Sequence, residues 1–144
     1  MSSNLTKLEF INELYKLLDQ GNYKTKTSEF KTILTQMKSK LDGLTIADYQ
    51  GDYPTFIEPV YLYPNISIGD TVLLGPNVFI DEDCKLGNFT ELSNSILCKN
   101  VETQKLVKLN NCIVDKDIVL PSEFKAENCL VTKNEKGNLA KIEF

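Results

Sequence analysis

The side chains that could do chemistry in this 144-residue sequence are four cysteines, a few carboxylates and a set of repeated asparagines. Cys84, Cys98, Cys112 and Cys129 could bind metal or pair as disulfides, but the chain has no Cys-x-x-Cys pair and no histidine, so the usual zinc spacings are missing. Cys112 and Cys129 recur in matching contexts, Asn111-Cys112-Ile113-Val114 and Asn128-Cys129-Leu130-Val131, as though one turn of a coil apart at the same corner. Strands stacked about 4.8 Å apart would bring two such thiols within bridging reach. In the cytoplasmic setting read below, thiols are kept reduced, so neither a disulfide nor a metal is expected. A general base must titrate near working pH. Without histidine, only carboxylates such as Glu82, Asp83 or Glu91 could serve, and each reads as a residue on a solvated corner. No catalytic residue, metal ligand or cofactor is assigned on this basis, and no cofactor-binding residue is identified.

The elements that would position these groups follow from a long period. From Leu62, every sixth residue gives Leu62, Ile68, Leu74, Ile80, Leu86 and Leu92, and four places after each come Ile66, Val72, Val78, Cys84, Thr90 and Ile96. Two inward rows result, one large and one mostly small. Turn residues lie between them: Gly69, Gly75 and Gly87, then Pro64 and Pro76, then Asn65, Asn77 and Asp83. After Leu92 the large row steps five residues to Leu97, and the pattern then repeats at seventeen, as in Asn94-Ser95-Ile96-Leu97 and its two later copies. Projected by seventeen, the small row reads Cys84, Val101, Ile118; Thr90, Val107, Phe124; and Ile96, Ile113, Leu130. Three short strands make one turn of a solenoid, each coil burying its inner face only by stacking on its neighbours. The spacing predicts four coils, over 62–79, 80–96, 97–113 and 114–130, after an entering strand at Phe56 to Tyr61.

Asn94, Asn111 and Asn128 would then form a ladder at one corner, a structural device rather than a ligand site. Thr90 and Thr103 point inward and need acceptors from a neighbouring coil. The aromatic group Tyr49, Tyr53, Phe56, Tyr61 and Tyr63 is expected to pack between the helices and the first coil.

Ahead of the coils, Thr6-Lys7-Leu8-Glu9 fits a capping box, Leu8, Ile11, Leu14, Tyr15 and Leu18 share a face, and Gly21 marks a stop. A second helix is expected over Ser28 to Leu41, with Phe30, Ile33, Leu34, Met37 and Leu41 on one face and Gly43 after it. Helices this short are marginal alone, so their stripes must bury against each other, the coil or another subunit. Leu44 to Thr55 reads as an extended linker. Two parts follow: a helical segment with linker over 1–55, and the β-helix with a C-terminal strand, Leu139 to Phe144, over 56–144.

Net charge −4 and a pI near 4.9 argue against a nucleic-acid partner, as does the use of lysine for all sixteen cations. No apolar run approaches a membrane span, and the first residues lack a signal peptide's apolar core, so a soluble cytoplasmic protein is expected.

Runs such as Ile68-Gly69-Asp70-Thr71-Val72-Leu73 and Leu74-Gly75-Pro76-Asn77-Val78-Phe79 resemble the left-handed parallel β-helix of hexapeptide-repeat proteins. More narrowly, Ile57-Glu58-Pro59-Val60-Tyr61-Leu62 and the Asn-Ser-Ile copies resemble the C-terminal domain of sugar-phosphate nucleotidyltransferases, the glucose-1-phosphate thymidylyltransferase-like group. Glu9 to Leu18 is similar to the helix that leaves the catalytic domain there. The resemblance implies a mainly β fold, a left-handed parallel β-helix of about four coils with an N-terminal helical pair. The left hand comes from the resemblance alone, since crossover rules favour the right.

Nucleotidyl transfer in such enzymes belongs to an N-terminal α/β domain whose Gly-rich, basic loop this sequence lacks. The function expected is therefore a non-catalytic oligomerisation or regulatory scaffold, not an enzyme. Its expected partners are further copies of itself, as a trimer through the coils or a dimer through the helices, or a separate catalytic subunit. One alternative is a protein that binds a nucleotide or sugar nucleotide between subunits. The other is an acyltransferase of hexapeptide type lacking its usual histidine.

Overall fold

The computed structural model describes residues 8–144. Two helices, α1 (Glu9–Gln20) and α2 (Thr27–Lys40), are joined by a 3-10 turn at Tyr23–Thr25. They precede a parallel β-solenoid of about five turns. Gly21 (φ 71°) follows α1, and α2 ends before Leu41. The capping box read at Thr6-Lys7-Leu8-Glu9 involves Thr6 and Lys7, which lie outside the described residues.

Each coil has three sides. The first face stacks Leu44–Ile46, Val60–Leu62, Val78–Ile80 and Ser95–Leu97, followed by the C-terminal parts of Lys108–Val114 and Lys125–Lys133. The second stacks Gln50–Gly51, Ser67–Ile68, Lys85–Leu86, Glu102–Thr103 and Val119–Leu120. The third stacks Thr55–Phe56, Leu73–Leu74, Glu91–Ser93 and the N-terminal parts of the two long strands. The corners are left-handed. Twelve residues from Asn65 to Asn128 have φ between 51° and 68°, four at each corner. Eight of them are Asn or Asp, the residues that tolerate this region because their short polar side chains bond locally. The sides between corners are six, six and five residues long from Asp83 onward, which makes the period seventeen.

One coil more is present than the spacing predicts. Leu44 to Thr55 is not a linker but most of the first coil: Ile46 pairs with Leu62, Gly51 with Ile68 and Phe56 with Leu74. The hexad projection misses it because these positions are five apart and one of them is glycine. Gly51 (φ 109°) is there for space, since a Cβ would lie 2.0 Å from the Ile68 carbonyl oxygen.

The inward rows hold except in one column. Ser95, Cys112 and Cys129 point inward, whereas Ile96, Ile113 and Leu130 point outward. The third side has five residues, so the small row steps from Thr90 to Ser95, and a slip of one residue sends a strand side chain to the opposite face. The outward residues join Tyr63 and Phe79 to form a second apolar surface on the first face. Phe10, Ile11, Leu14 and Leu18 of α1 and Phe30, Ile33, Leu34 and Met37 of α2 bury against it and against each other. Phe10 meets Phe79 edge-on at 5.5 Å. The helical stripes are thus satisfied within the chain. At the far end, Leu139–Glu143 pairs antiparallel with Cys129–Lys133 through a turn in which the Asn134 carboxamide accepts from Lys136 and Asn138 N–H.

Gly51→Ala is expected to lower stability by about 1–3 kcal/mol through overpacking against Ile68, read as a urea midpoint shift. An unchanged midpoint would contradict the packed first coil.

Candidate functional site

Three places bring chemistry-bearing groups together. The first is the seam between α1 and the corner that follows the helix-covered face, where Asp81, Cys98, Asp115 and Thr132 succeed one another coil by coil. The backbone ladder holds this column, Asp81 N–H donating to Leu97 O, Cys98 N–H to Val114 O and Asp115 N–H to Val131 O. Asp81 is fully buried. Its Oδ2 accepts from the Tyr15 hydroxyl at 2.7 Å and its Oδ1 from Glu82 N–H at 2.8 Å. The same hydroxyl accepts from Lys99 N–H at 2.8 Å. Asp115 accepts from the Thr132 hydroxyl at 2.9 Å and from Lys116 N–H at 2.7 Å. The Lys116 ammonium lies between Asp115 (3.8 Å) and Asp19 of α1 (3.5 Å).

Burial, aided by Cys98 and Asp81, raises the pKa of the Tyr15 hydroxyl; burial, with Asp115 and Asp81, raises that of the Cys98 thiol well above the usual range. Both stay protonated at neutral pH. A thiol so held is a poor nucleophile. The seam therefore works as a polar lock that sets the position of α1 on the solenoid.

The second place is the pair of corners rich in Asn and Asp. The Asn94, Asn111 and Asn128 ladder forms and starts one rung earlier: Asn77 donates to Asn94 Oδ1 at 2.9 Å and Asn111 to Asn128 Oδ1 at 2.8 Å. Its middle rung is displaced, since Asn94 donates to Asn110. A ladder not foreseen runs along the neighbouring corner, where Asn65 donates to Asp83 Oδ1 at 2.7 Å and Asn100 to Asp117 Oδ1 at 2.8 Å. All three carboxylates considered as bases are engaged here or close by. Asp83 is in that ladder, Glu82 pairs with Lys99 at 3.2 Å, and Glu91 pairs with Lys108 at 3.3 Å. Thr90 and Thr103 close on each other at 3.0 Å inside the coil, Thr90 also donating to Gly87 O at 2.8 Å.

The third place is the remaining corner, between the second and third faces. Its left-handed positions are Thr71, Phe89, Leu106 and Glu123. Bulky residues seldom adopt φ near 61°, yet Phe89 and Leu106 do, and they stay 46% and 37% exposed. Tyr53, 76% exposed, stands at the same corner of the first coil and stacks edge-on against Phe56 and Tyr49. The expected aromatic group thus divides. Tyr61 and Tyr63 lie beneath the helices, while Tyr49 and Phe56 pack on the coil interior and Tyr53 faces solvent.

Among the described residues no group of three His, Cys, Asp or Glu could hold a metal ion, and no helix is long and apolar enough to cross a membrane. Sequence reasoning missed the seam and the exposed corner. The seventeen-residue spacing of Asp81, Cys98, Asp115 and Thr132 was the available signal for the first, and apolar residues where Asn or Asp belongs for the second.

Stacked three-sided parallel coils, ladders at two corners and a helical pair on one face define a β-solenoid domain. Residues 56–136 match the family described as GMPPB C-terminal domain, a left-handed β-helix domain of sugar nucleotidyltransferases, and the chain belongs to that family. The match begins at the last strand of the first coil. No curated protein and no solved structure matches significantly.

Tyr15→Phe leaves the buried Asp81 carboxylate short of a donor and is expected to cost about 1–3 kcal/mol. A urea midpoint equal to wild type would remove the lock from the account. Burial also pushes the Cys84 thiol from the ordinary 9.0 up to about 12. The unfolded chain then binds fewer protons than the folded one above pH 9.0, so this contribution to stability is complete below that value and is lost as pH rises toward about 12. Tyr15 and Cys98 act in the same direction. Urea midpoints compared at about pH 7.5 and about pH 10 should fall, and a rise would reverse the sign.

Proposed function

We propose that this chain is a non-catalytic assembly module of the sugar-nucleotidyltransferase kind, whose partner is a second copy of itself. The observation that carries the reading is the strained, exposed corner at Phe89 and Leu106. The other two corners use Asn and Asp, which relieve the same backbone strain; here apolar side chains take the strained position and remain in water. Such a combination is explained by an occupant that covers it.

A second copy suits the geometry because this corner separates the two faces that the helices leave open. The apolar stripes of both helices are spent on the first face, which supports association through the coils over a dimer through the helices. The engagement of Glu82, Asp83 and Glu91 in corner and cross-strand pairs supports the non-catalytic reading over acyl transfer.

The test is Phe89→Asn with Leu106→Asn, studied by sedimentation and native mass spectrometry. Asparagine tolerates the left-handed region, so the monomer should be as stable as wild type or gain about 1 kcal/mol per site. The wild type should be an oligomer at micromolar concentration, and the variant should dissociate at least about tenfold more readily, an interface loss of about 1.4 kcal/mol. A monomeric wild type, or a variant that assembles equally well, overturns the proposal. A nucleotide mass retained by the wild type would replace it with ligand binding between subunits.

A further inference from the structure

Cys112 and Cys129 are direct register partners on the last two coils, both buried and both turned inward. Their sulfurs are 3.9 Å apart and unbridged. Paired residues of neighbouring strands lie about 4.8 Å apart, within the roughly 4.4–6.8 Å between Cα atoms that a disulfide accepts. Bond formation therefore asks for side-chain rotation and little backbone movement. The other two cysteines are arranged differently. Cys84 lies inside the coil and Cys98 outside it beneath α1, on opposite sides of the chain.

The pair is also asymmetric. Cys112 is enclosed between coils, whereas Cys129 is in the last inward layer and borders a pocket with Lys125, Glu127, Lys141 and Glu143. The two thiols are in hydrogen-bond contact, with either able to donate, and that contact, with help from Lys141 against burial and Glu143, lowers the Cys129 pKa. The same contact, together with burial, raises that of Cys112. Cys129 is also the one of the two that borders the pocket, and so the first that a small oxidant entering there meets.

We propose that Cys112 and Cys129 form a modification site for hydroperoxides, a dithiol that oxidises to a disulfide joining the last two coils. The Cys129 thiolate attacks one peroxide oxygen; the O–O bond breaks, an S–O bond forms, and the other oxygen leaves as hydroxide and takes a proton. The Cys112 sulfur then attacks the Cys129 sulfenic acid; an S–S bond forms, the S–O bond breaks, and water leaves carrying the Cys112 proton. In sum, two thiols give up two electrons and two protons, and hydrogen peroxide becomes two waters. The strand so stapled, Lys125–Lys133, also carries the antiparallel C-terminal strand, so oxidation fixes the open end of that hairpin, where Cys129 pairs with Glu143, to the coil beneath. A dithiol reductant reverses it.

The test treats the intact chain with hydrogen peroxide, then alkylates it under denaturing conditions. Of the four thiols, two should become unreactive, the mass should fall by two hydrogens, and one linked peptide pair should contain Cys112 and Cys129, all reversed by dithiothreitol. Cys112→Ser should leave Cys129 as a sulfenic acid trapped by dimedone, and Cys129→Ser should slow oxidation of Cys112 by about tenfold or more. Four reactive thiols after a dose that oxidises a small-molecule dithiol would overturn the proposal. So would a link through Cys84 or Cys98, or a link between chains. The wild-type result decides the matter if either variant folds poorly.

Discussion

From Asn65 onward each coil of this solenoid closes because its backbone enters the left-handed region at three corners, a conformation that disfavours L-residues by about 1–2 kcal/mol each. The remaining architecture follows from how that demand is met. At two corners Asn and Asp meet it, and their side chains then bond from coil to coil, as in Asn77 to Asn94 and Asn65 to Asp83. The corner residue is thus also the cross-coil tie. At the third corner the same demand falls on Thr71, Phe89, Leu106 and Glu123, which relieve it less well. That difference among three otherwise equivalent edges separates a structural edge from one suited to contact.

Corner spacing also decides which residues are inside. Two sides of six and one of five turn Ser95, Cys112 and Cys129 inward and leave Ile96, Ile113 and Leu130 outside. The outward row builds a second core that a bare solenoid would not have, and the helices exist as stable elements because they cover it. Their seam is polar at one margin, where Asp81 and Asp115 would be costly to bury without partners. Tyr15, Thr132 and the local backbone supply them. One five-residue side thereby links the thiol pair in the coil, the apolar face beneath the helices and the placement of α1.

Much of this was legible in the residues. The large inward row from Leu62 to Ala126, the inward Thr90 and Thr103, the Asn corner and both helices can be read from spacing, because stacking forces the same side-chain type to recur at the same point of each coil. The first coil was not legible, since Ile46, Gly51 and Phe56 fall five apart and the hydrophobic repeat is interrupted by glycine. The inward place of Cys112 was missed for a related reason: Asn111-Cys112-Ile113 offers two apolar candidates for one position, and only the pairing register chooses between them.

The sequence by itself determined that the chain is a stacked coil with two amphipathic helices, because periodic burial leaves its mark on composition at every turn. It also determined which groups could do chemistry at all, through the absence of histidine and of arginine. Tertiary structure decided where the helices lie, which of Cys112 and Ile113 faces the interior, and that Tyr15 meets Asp81 across sixty-six residues of chain. Those outcomes depend on contacts between segments whose separation carries no period, so no spacing in the sequence records them.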